Sequence, residues 1–273
     1  MAFVESPPSI HPTASVDPSV ELGANSVVGP FAVIEGPGRL GAGCWVGAHA
    51  VIHAWVRMGA RNRIHPHAVL GGPPQDVGFD TALESWVHIG DDNVFREGST
   101  VHRSKREGEA TRVGSKCYLM NGSHIGHDCS VGDHVIFASC ATLGGHVEVG
   151  DRAFFGGGAM VHQFGRVGRL AMVAGMIGVR KDVLPFSLIG GTPVRHYRTN
   201  RIGLRRAGTS REASAALEQA FRRLRRGEDL TGIADFEAVA YLKAWLAAPS
   251  KRGIYGFAGS AQRGRGNPES ELD

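Results

Sequence analysis

The residues of this chain best suited to chemistry gather near its middle. His124, His127, His146 and His162 are imidazoles, which titrate near neutrality. Asp128 follows His127 directly, and Gly145 and Gln163 follow it at two successive intervals of 18 residues. Three chemistries suit such a set. A histidine beside a carboxylate is a general base, and a glycine amide near it is an oxyanion donor. Three neutral imidazoles also suit zinc. Satisfied structural histidines are the plain alternative. Successive residues of a strand point to opposite faces. His127 and Asp128 can therefore act together only if a corner of the chain, or local hydrogen bonding, turns Asp128 back.

The equal intervals call for a repeating scaffold, and the sequence carries a six-residue period, of which 18 is a multiple. Aliphatic or aromatic residues recur every sixth position from Ile10 through Val16, Leu22 and Val28 to Leu70, then at Ile89, Phe95 and Val101, then from Val113 to Val179. No polar residue occupies a key position, and the next residue is often Gly, as at Gly23, Gly29, Gly126, Gly144 and Gly150. Glycine tolerates a strained or close-packed backbone where other residues clash. A repeat this regular marks a solenoid whose stacked units share one continuous core. The pattern resembles the hexapeptide-repeat left-handed parallel β-helix, a resemblance that implies three hexads to each triangular coil of 18 residues. His127, Gly145 and Gln163 then form one vertical column, with His146 and His162 on the same face and His124 across the preceding corner.

The period breaks twice, over 71–88 and 103–112, and both segments read as loops projecting from the solenoid. Loops on a rigid scaffold are favoured places for ligand contacts. The solenoid, over 1–191, gives way to a helical region over 192–258. There, Asn200–Arg206 reads as a short helix ended by Gly208. A capping box at Thr209 and Glu212 opens a second helix, and Ile233–Ala248 reads as a third, stopped by Pro249. The tail over 259–273 is expected to be disordered.

Composition narrows the class further. The chain has 273 residues, a net charge of +4 and 39 glycines, which rules out a conventional helical bundle as the main body. Glycine does not recur every third residue, so collagen is excluded. No apolar run is long enough for a membrane-spanning helix, and the start lacks the basic and apolar regions of a secretory signal. Cys44, Cys117, Cys129 and Cys140 form no CxxC pair. A reduced, cytoplasmic setting is expected. Between Arg195 and Arg226 ten arginines face only Glu212 and Glu218, so the rest of the chain is net acidic. That patch suits an acidic partner. Few aromatics interleave with the arginines for base stacking, so nucleic acid is not the expected partner.

These residues resemble a known family. NGSHIGHDCSVG (121–132), ATLGGHVEVGD (141–151), GGGAMVHQFGRVG (156–168), GLRRAGTSRE (203–212) and the Pro74-Gln75-Asp76 loop look like the acyl-ACP:UDP-N-acetylglucosamine O-acyltransferases. The resemblance covers nearly the whole chain. It implies a left-handed parallel β-helix with a C-terminal helical domain, assembled as a homotrimer with sites between subunits. It also implies transfer of a 3-hydroxyacyl or related acyl group from acyl carrier protein to the sugar 3-position, the first step of lipid A biosynthesis. No cofactor and no metal are expected.

Carried over by position, His127 is the general base, Asp128 orients it, and the Gly145 amide stabilises the thioester oxyanion. His124, His146, His162 and Gln163 line the sugar-nucleotide and acyl pocket. Asp76 touches the sugar, Asn200 and Arg206 hold the uridine-phosphate end, and Gly175 sets the acyl length, its missing side chain leaving room for a long chain. The basic helices meet acyl carrier protein. Gly78 stands where the family commonly has Lys, and Ile202 where it has Glu. Both departures bear on the acceptor, and a 3-amino sugar with N-acylation is the alternative product. The N-acylating enzyme of the pathway usually carries an extra domain ahead of its solenoid, and a repeat already running at Ile10 points away from it. A zinc β-helix enzyme is a further alternative, set against by the arginine-rich helical region.

Overall fold

A computed structural model describes residues 6–259. Beyond Gly259, the expected disordered tail lies outside the described residues. Strands of mostly two or three residues wind into a triangular prism whose three faces are sheets of eleven, nine and eight strands, parallel throughout except for the last strand of the eleven. Every third strand joins the same face, and partners in the uninterrupted coils lie 18 apart, as in Ile10↔Val28 and His124↔Thr142. The key aliphatics point inward. On the nine-stranded face Ile34, Ile52, Leu70, Val101, Ile125, Leu143 and Val161 form one fully buried ladder. Each such chain contributes about 1.5–3 kcal/mol on burial.

Glycine serves this winding through close approach. A Cβ on Gly126 would lie 2.9 Å from the Gly144 carbonyl carbon of the next coil, so the coils stack too tightly there for a side chain. The left-handed backbone of the corners is carried mostly by other residues. Asp128, His146 and Phe164, each one coil apart, have φ of 60°, 60° and 63°.

The two interruptions leave the register intact. Leu70 pairs with Val101 across the first, and Val101 with Ile125 across the second. Both loops are shorter than the spacing suggested. Trp86–Ile89 pairs residue for residue with Ala110–Val113, and Val69–Gly72 is also a strand. These residues therefore belong to the prism, and the projecting parts are 73–85 and 103–109.

The region after the prism opens with a strand where helix was expected. Arg195–Thr199 pairs antiparallel with Ser187–Gly190 and closes the open end of the eleven-stranded sheet, covering backbone groups that an edge would leave unpaired. Three helices follow: α1 (Arg201–Arg206), α2 (Arg211–Arg226) and α3 (Glu237–Ala247). The cap of α2 is Ser210, whose hydroxyl accepts from the Ala213 N–H at 3.1 Å. The helix thus starts one residue later than a Thr209 cap requires, with Glu212 still in its first turn. The third helix starts at Glu237 because Ile233 is already buried in non-helical chain. A second core of Leu170, Phe186, Leu204, Leu217, Phe221 and Leu242 fastens the helices to the last coils. Among the described residues no helix is long and apolar enough to cross a membrane.

Candidate active site

His127 follows the strand His124–Ile125 of the nine-stranded face and precedes the strand Ser130–Val131 of the eight-stranded face. The corner between them answers the difficulty with adjacent residues. Asp128 takes the left-handed conformation there and swings its carboxylate back, so that His127 Nδ1 lies 2.6 Å from Asp128 Oδ2. Donation from Nδ1–H to the carboxylate leaves Nε2 as the basic nitrogen. One coil on, a Cβ built on Gly145 would sit 2.6 Å from His127 Nε2. The imidazole therefore rests on Gly145, as the 18-residue column requires. Among the described residues the Gly145 N–H donates to no protein acceptor.

Asp128 is held on every side. Ser104 Oγ donates to its Oδ1 at 2.5 Å, the Lys105 N–H to Oδ2 at 3.2 Å, and its own N–H donates to Thr111 Oγ1 at 2.7 Å. Burial alone would raise its pKa. Hydrogen bonds from His127, Ser104 and the Lys105 amide outweigh burial and hold it down to about 2. The carboxylate therefore stays ionised and fixes the tautomer of His127.

His146 completes the cluster. Its Nε2 lies 3.7 Å from Asp128 Oδ2, and its ring meets His127 edge-on and stacks on Phe164. Burial lowers its pKa, Asp128 opposing and His127 reinforcing the shift. Ligand atoms of His127, Asp128 and His146 lie within 4.8 Å of one another. His124 bonds Thr100 Oγ1 through Nδ1 at 2.7 Å and meets His102 edge-on. Burial, with His124 and His127 nearby, pushes His102 down to about 4. Sequence reading passed over His102, Ser104, Lys105 and Thr111. Correcting the column for the second loop would have found His102, because Val101 pairs with Ile125 and so sets His102 beneath Gly126.

The other expected residues are more scattered. Asp76 reaches the cluster from the first loop, where Lys105 Nζ meets its Oδ2 at 2.5 Å and the Gly78 N–H its Oδ1 at 2.9 Å. Lys105 thus brings an ammonium beside Asp76 in a chain that has Gly at position 78. His162 and Gln163 lie exposed further along the corner, and His162 Nδ1 faces the Gln163 carbonyl at 3.2 Å. Gly175 sits between the strands Met172–Val173 and Gly178–Val179, at the corner joining the eleven- and nine-stranded faces, and a Cβ there would lie 2.9 Å from the Gly157 carbonyl oxygen.

Asn200 and Arg206 are not with His127 in the single chain. They border a groove of 530 Å³ on the outside of the eleven-stranded face, with Tyr118, Ile136, Phe154 and Met172 on its floor. Asn200 is buried and already engaged: its Oδ1 caps α1 by accepting from the Gly203 N–H at 3.0 Å, and its Nδ2 donates to the Leu170 carbonyl at 2.9 Å. Arg206 is exposed.

Coils of this kind define the hexapeptide-repeat transferases, and comparison with known proteins agrees. Residues 37–72 and 110–145 match the bacterial transferase hexapeptide family, and residues 182–265 match the second domain of UDP-N-acetylglucosamine O-acyltransferase. A relative from Anaeromyxobacter dehalogenans, named acyl-[acyl-carrier-protein]–UDP-N-acetylglucosamine O-acyltransferase, is 47% identical over 94% of this chain and 98% of its own. Another of the same name, from Alkalilimnicola ehrlichii, is 49% identical over 78% of this chain and 83% of its own. The solved UDP-N-acetylglucosamine acyltransferase of Campylobacter jejuni superposes with a TM-score of 0.84 at 31% identity, covering 92% of this chain and all of that one. The chain belongs to the UDP-N-acetylglucosamine O-acyltransferase family. It is an acyltransferase, and its prism is the left-handed parallel β-helix.

Proposed function

We propose that this enzyme moves a 3-hydroxyacyl or related acyl group from the thioester of acyl carrier protein to the 3-hydroxyl of UDP-N-acetylglucosamine, the first step of lipid A biosynthesis. The observation that carries the reading is the His127–Asp128 pair, 2.6 Å apart, with the imidazole resting on Gly145. His127 Nε2 takes the proton from the sugar hydroxyl as its oxygen attacks the thioester carbon. The developing oxyanion is held by the unengaged Gly145 N–H. Collapse expels the carrier thiolate, which takes up the proton from His127. Asp128 keeps the imidazole in the right tautomer and stabilises the imidazolium in between.

The distribution of apolar surface supports a trimer. The eight-stranded face points Arg39, Arg57, His88, Arg112, Glu148 and Arg166 outward. The other two faces present Val27, Tyr118, Phe154, Val51 and Met160, and their shared corner carries Phe31 and Met176. Phe31, Met160 and Met176 are 56%, 57% and 86% exposed, more than a lone chain hides comfortably. Packing the eleven-stranded face of one copy on the nine-stranded face of the next buries both. It also brings Asn200 and Arg206 of one copy to the His127 corner of its neighbour. The nucleotide end of the acceptor then lies across the subunit boundary, and the arginine-rich α2 meets the acidic carrier. Gly175 lies along the same boundary, where the acyl chain runs.

The test is direct. Acyl carrier proteins loaded with chains of varied length are incubated with UDP-N-acetylglucosamine or its 3-amino analogue, and the product is identified by mass. An ester at the sugar 3-position is expected. An amide formed only from the 3-amino sugar would replace the acceptor and keep the base.

A further inference from the structure

We propose that Arg103, Ser104 and Lys105 form a positioning bracket that ties the Asp76 loop to the His127–Asp128 pair, so that acceptor contact and base alignment are set by three consecutive side chains. The inference deepens the acyl-transfer reading and rests on it for its kinetic consequences. Its geometry stands apart from the reaction.

Arg103 faces the first loop, Ser104 faces Asp128, and Lys105 reaches both. Arg103 is 3% exposed, and among the described residues it forms no ion pair with a carboxylate. Its guanidinium donates to the Leu83 and Thr81 carbonyls of the first loop, at 2.5 and 2.8 Å, and lies over the rings of Trp55 and Phe79. A buried cation of this kind is costly unless its donors are used, and both of its terminal nitrogens donate to the backbone of the loop that carries Asp76. Ser104 is fully buried. Its oxygen accepts from the Arg106 N–H at 3.0 Å, which leaves its own hydrogen free to point at Asp128 Oδ1. Lys105 uses its amide on Asp128 Oδ2 and its ammonium on Asp76 Oδ2. The chain itself is pinned on both sides, by the Arg103 N–H to the Gly72 carbonyl and by Ser85 Oγ to the Ser104 carbonyl.

Three adjacent residues cannot move independently, so the loop and the base are coupled mechanically. Ser104 acts on the rate through Asp128. Lys105 acts on acceptor affinity through Asp76. Arg103 sets where both sit.

Steady-state kinetics on Ser104→Ala, Ser104→Thr, Lys105→Ala and Arg103→Lys, beside the wild type, separate these roles. Ser104→Ala is expected to lower kcat about tenfold, as loss of a hydrogen bond to a charged group implies, with the acceptor KM within twofold and Ser104→Thr restoring most of the rate. Lys105→Ala is expected to raise the acceptor KM with a smaller change in kcat, and Arg103→Lys to alter both. Hydrogen exchange read without substrate gives an independent measure: Arg103→Lys should speed amide exchange across 76–83. Unchanged exchange in that segment overturns the bracket whatever the activity. So does a Ser104→Ala enzyme with wild-type kcat. A wild type inactive on both sugar nucleotides would instead remove the assigned reaction and leave the exchange experiment to judge the bracket.

Discussion

The prism and the helical cap place side chains by different rules. In the prism, position is arithmetic: His127 rests on Gly145 because 18 residues make one coil, and Asp128, His146 and Phe164 share a backbone conformation because each is one coil further on. In the cap, position depends on packing against something already built. Asn200 caps α1 only because Leu170, a prism corner residue, offers its carbonyl, and Phe221 and Leu242 find their core against Phe186. The proposed chemistry sits where the arithmetic holds and the proposed recognition where it does not. A base must be aligned to within a fraction of an ångström, and the part that meets partners is free to vary.

The sharpest way to break this contrast is at the base. His127→Ala should cost at least about 100-fold in turnover while circular dichroism and thermal stability stay near wild type, since the ring lies outside the hydrophobic ladder. A near-normal rate would move the chemistry away from the prism. Next in size, Arg206→Ala should raise the acceptor KM by about tenfold, the worth of one charge-assisted contact. On the proposed trimer, mixing the His127→Ala and Arg206→Ala chains should raise activity at sub-saturating acceptor, because about one boundary in four carries both intact groups. No recovery on mixing would confine the site to a single chain. Gly175→Met should shift preference toward shorter acyl chains, read by competition between carriers; unchanged selectivity ends its role as ruler. Its Cβ crowds the Gly157 carbonyl, so thermal stability should be recorded beside it.

Acid should separate the two regions by a smaller effect. His196 is buried in the cap, accepting from the Leu184 N–H through Nε2 and bonding the Tyr255 carbonyl through Nδ1. Burial pushes its pKa down to about 4, against 6.5 for the free side chain. The unfolded chain binds that proton first, so the stabilisation is complete above pH 6.5 and is lost as pH falls toward 4. Urea midpoints followed by helical circular dichroism should decline across that window, and His196→Asn should flatten the decline. His102 in the prism is depressed similarly, so a slope unchanged in His196→Asn would assign the effect to the prism. The smallest expected change is Ser210→Ala, about 1 kcal/mol from loss of the α2 cap, with turnover unaffected.

How much of this was legible in the sequence follows the same division. The key aliphatics showed the six-residue repeat, the resemblance to a β-helix made three of them one coil, and that coil set Gly145 against His127. The pairing of His127 with Asp128 needed the φ of one corner residue, which spacing does not carry. The residues that steady Asp128 were missed because they come from a loop, where the six-residue frame is silent. Ser104 and Lys105 are polar residues in a polar run, and only their return toward the corner gives them a task. In the cap, Thr209 reads as the start of a capping box, but Ser210, the stronger cap by type, takes the position. The strand Arg195–Thr199 had no alternation to announce it. It forms because the last coil leaves an edge that something must cover.

One feature of the corners reaches beyond this enzyme. The backbone that turns Asp128 toward His127 is the same left-handed seat taken by Asn25, Arg61, Cys140 and Arg152. The turn at Asp128 is thus no special distortion, and the fold supplies many like it. A histidine–aspartate couple could be transplanted to another vertex of the prism without redesigning the main chain, provided a glycine stands one storey away to seat the ring. The solenoid in that sense is a rack of interchangeable mounts, one of which is occupied.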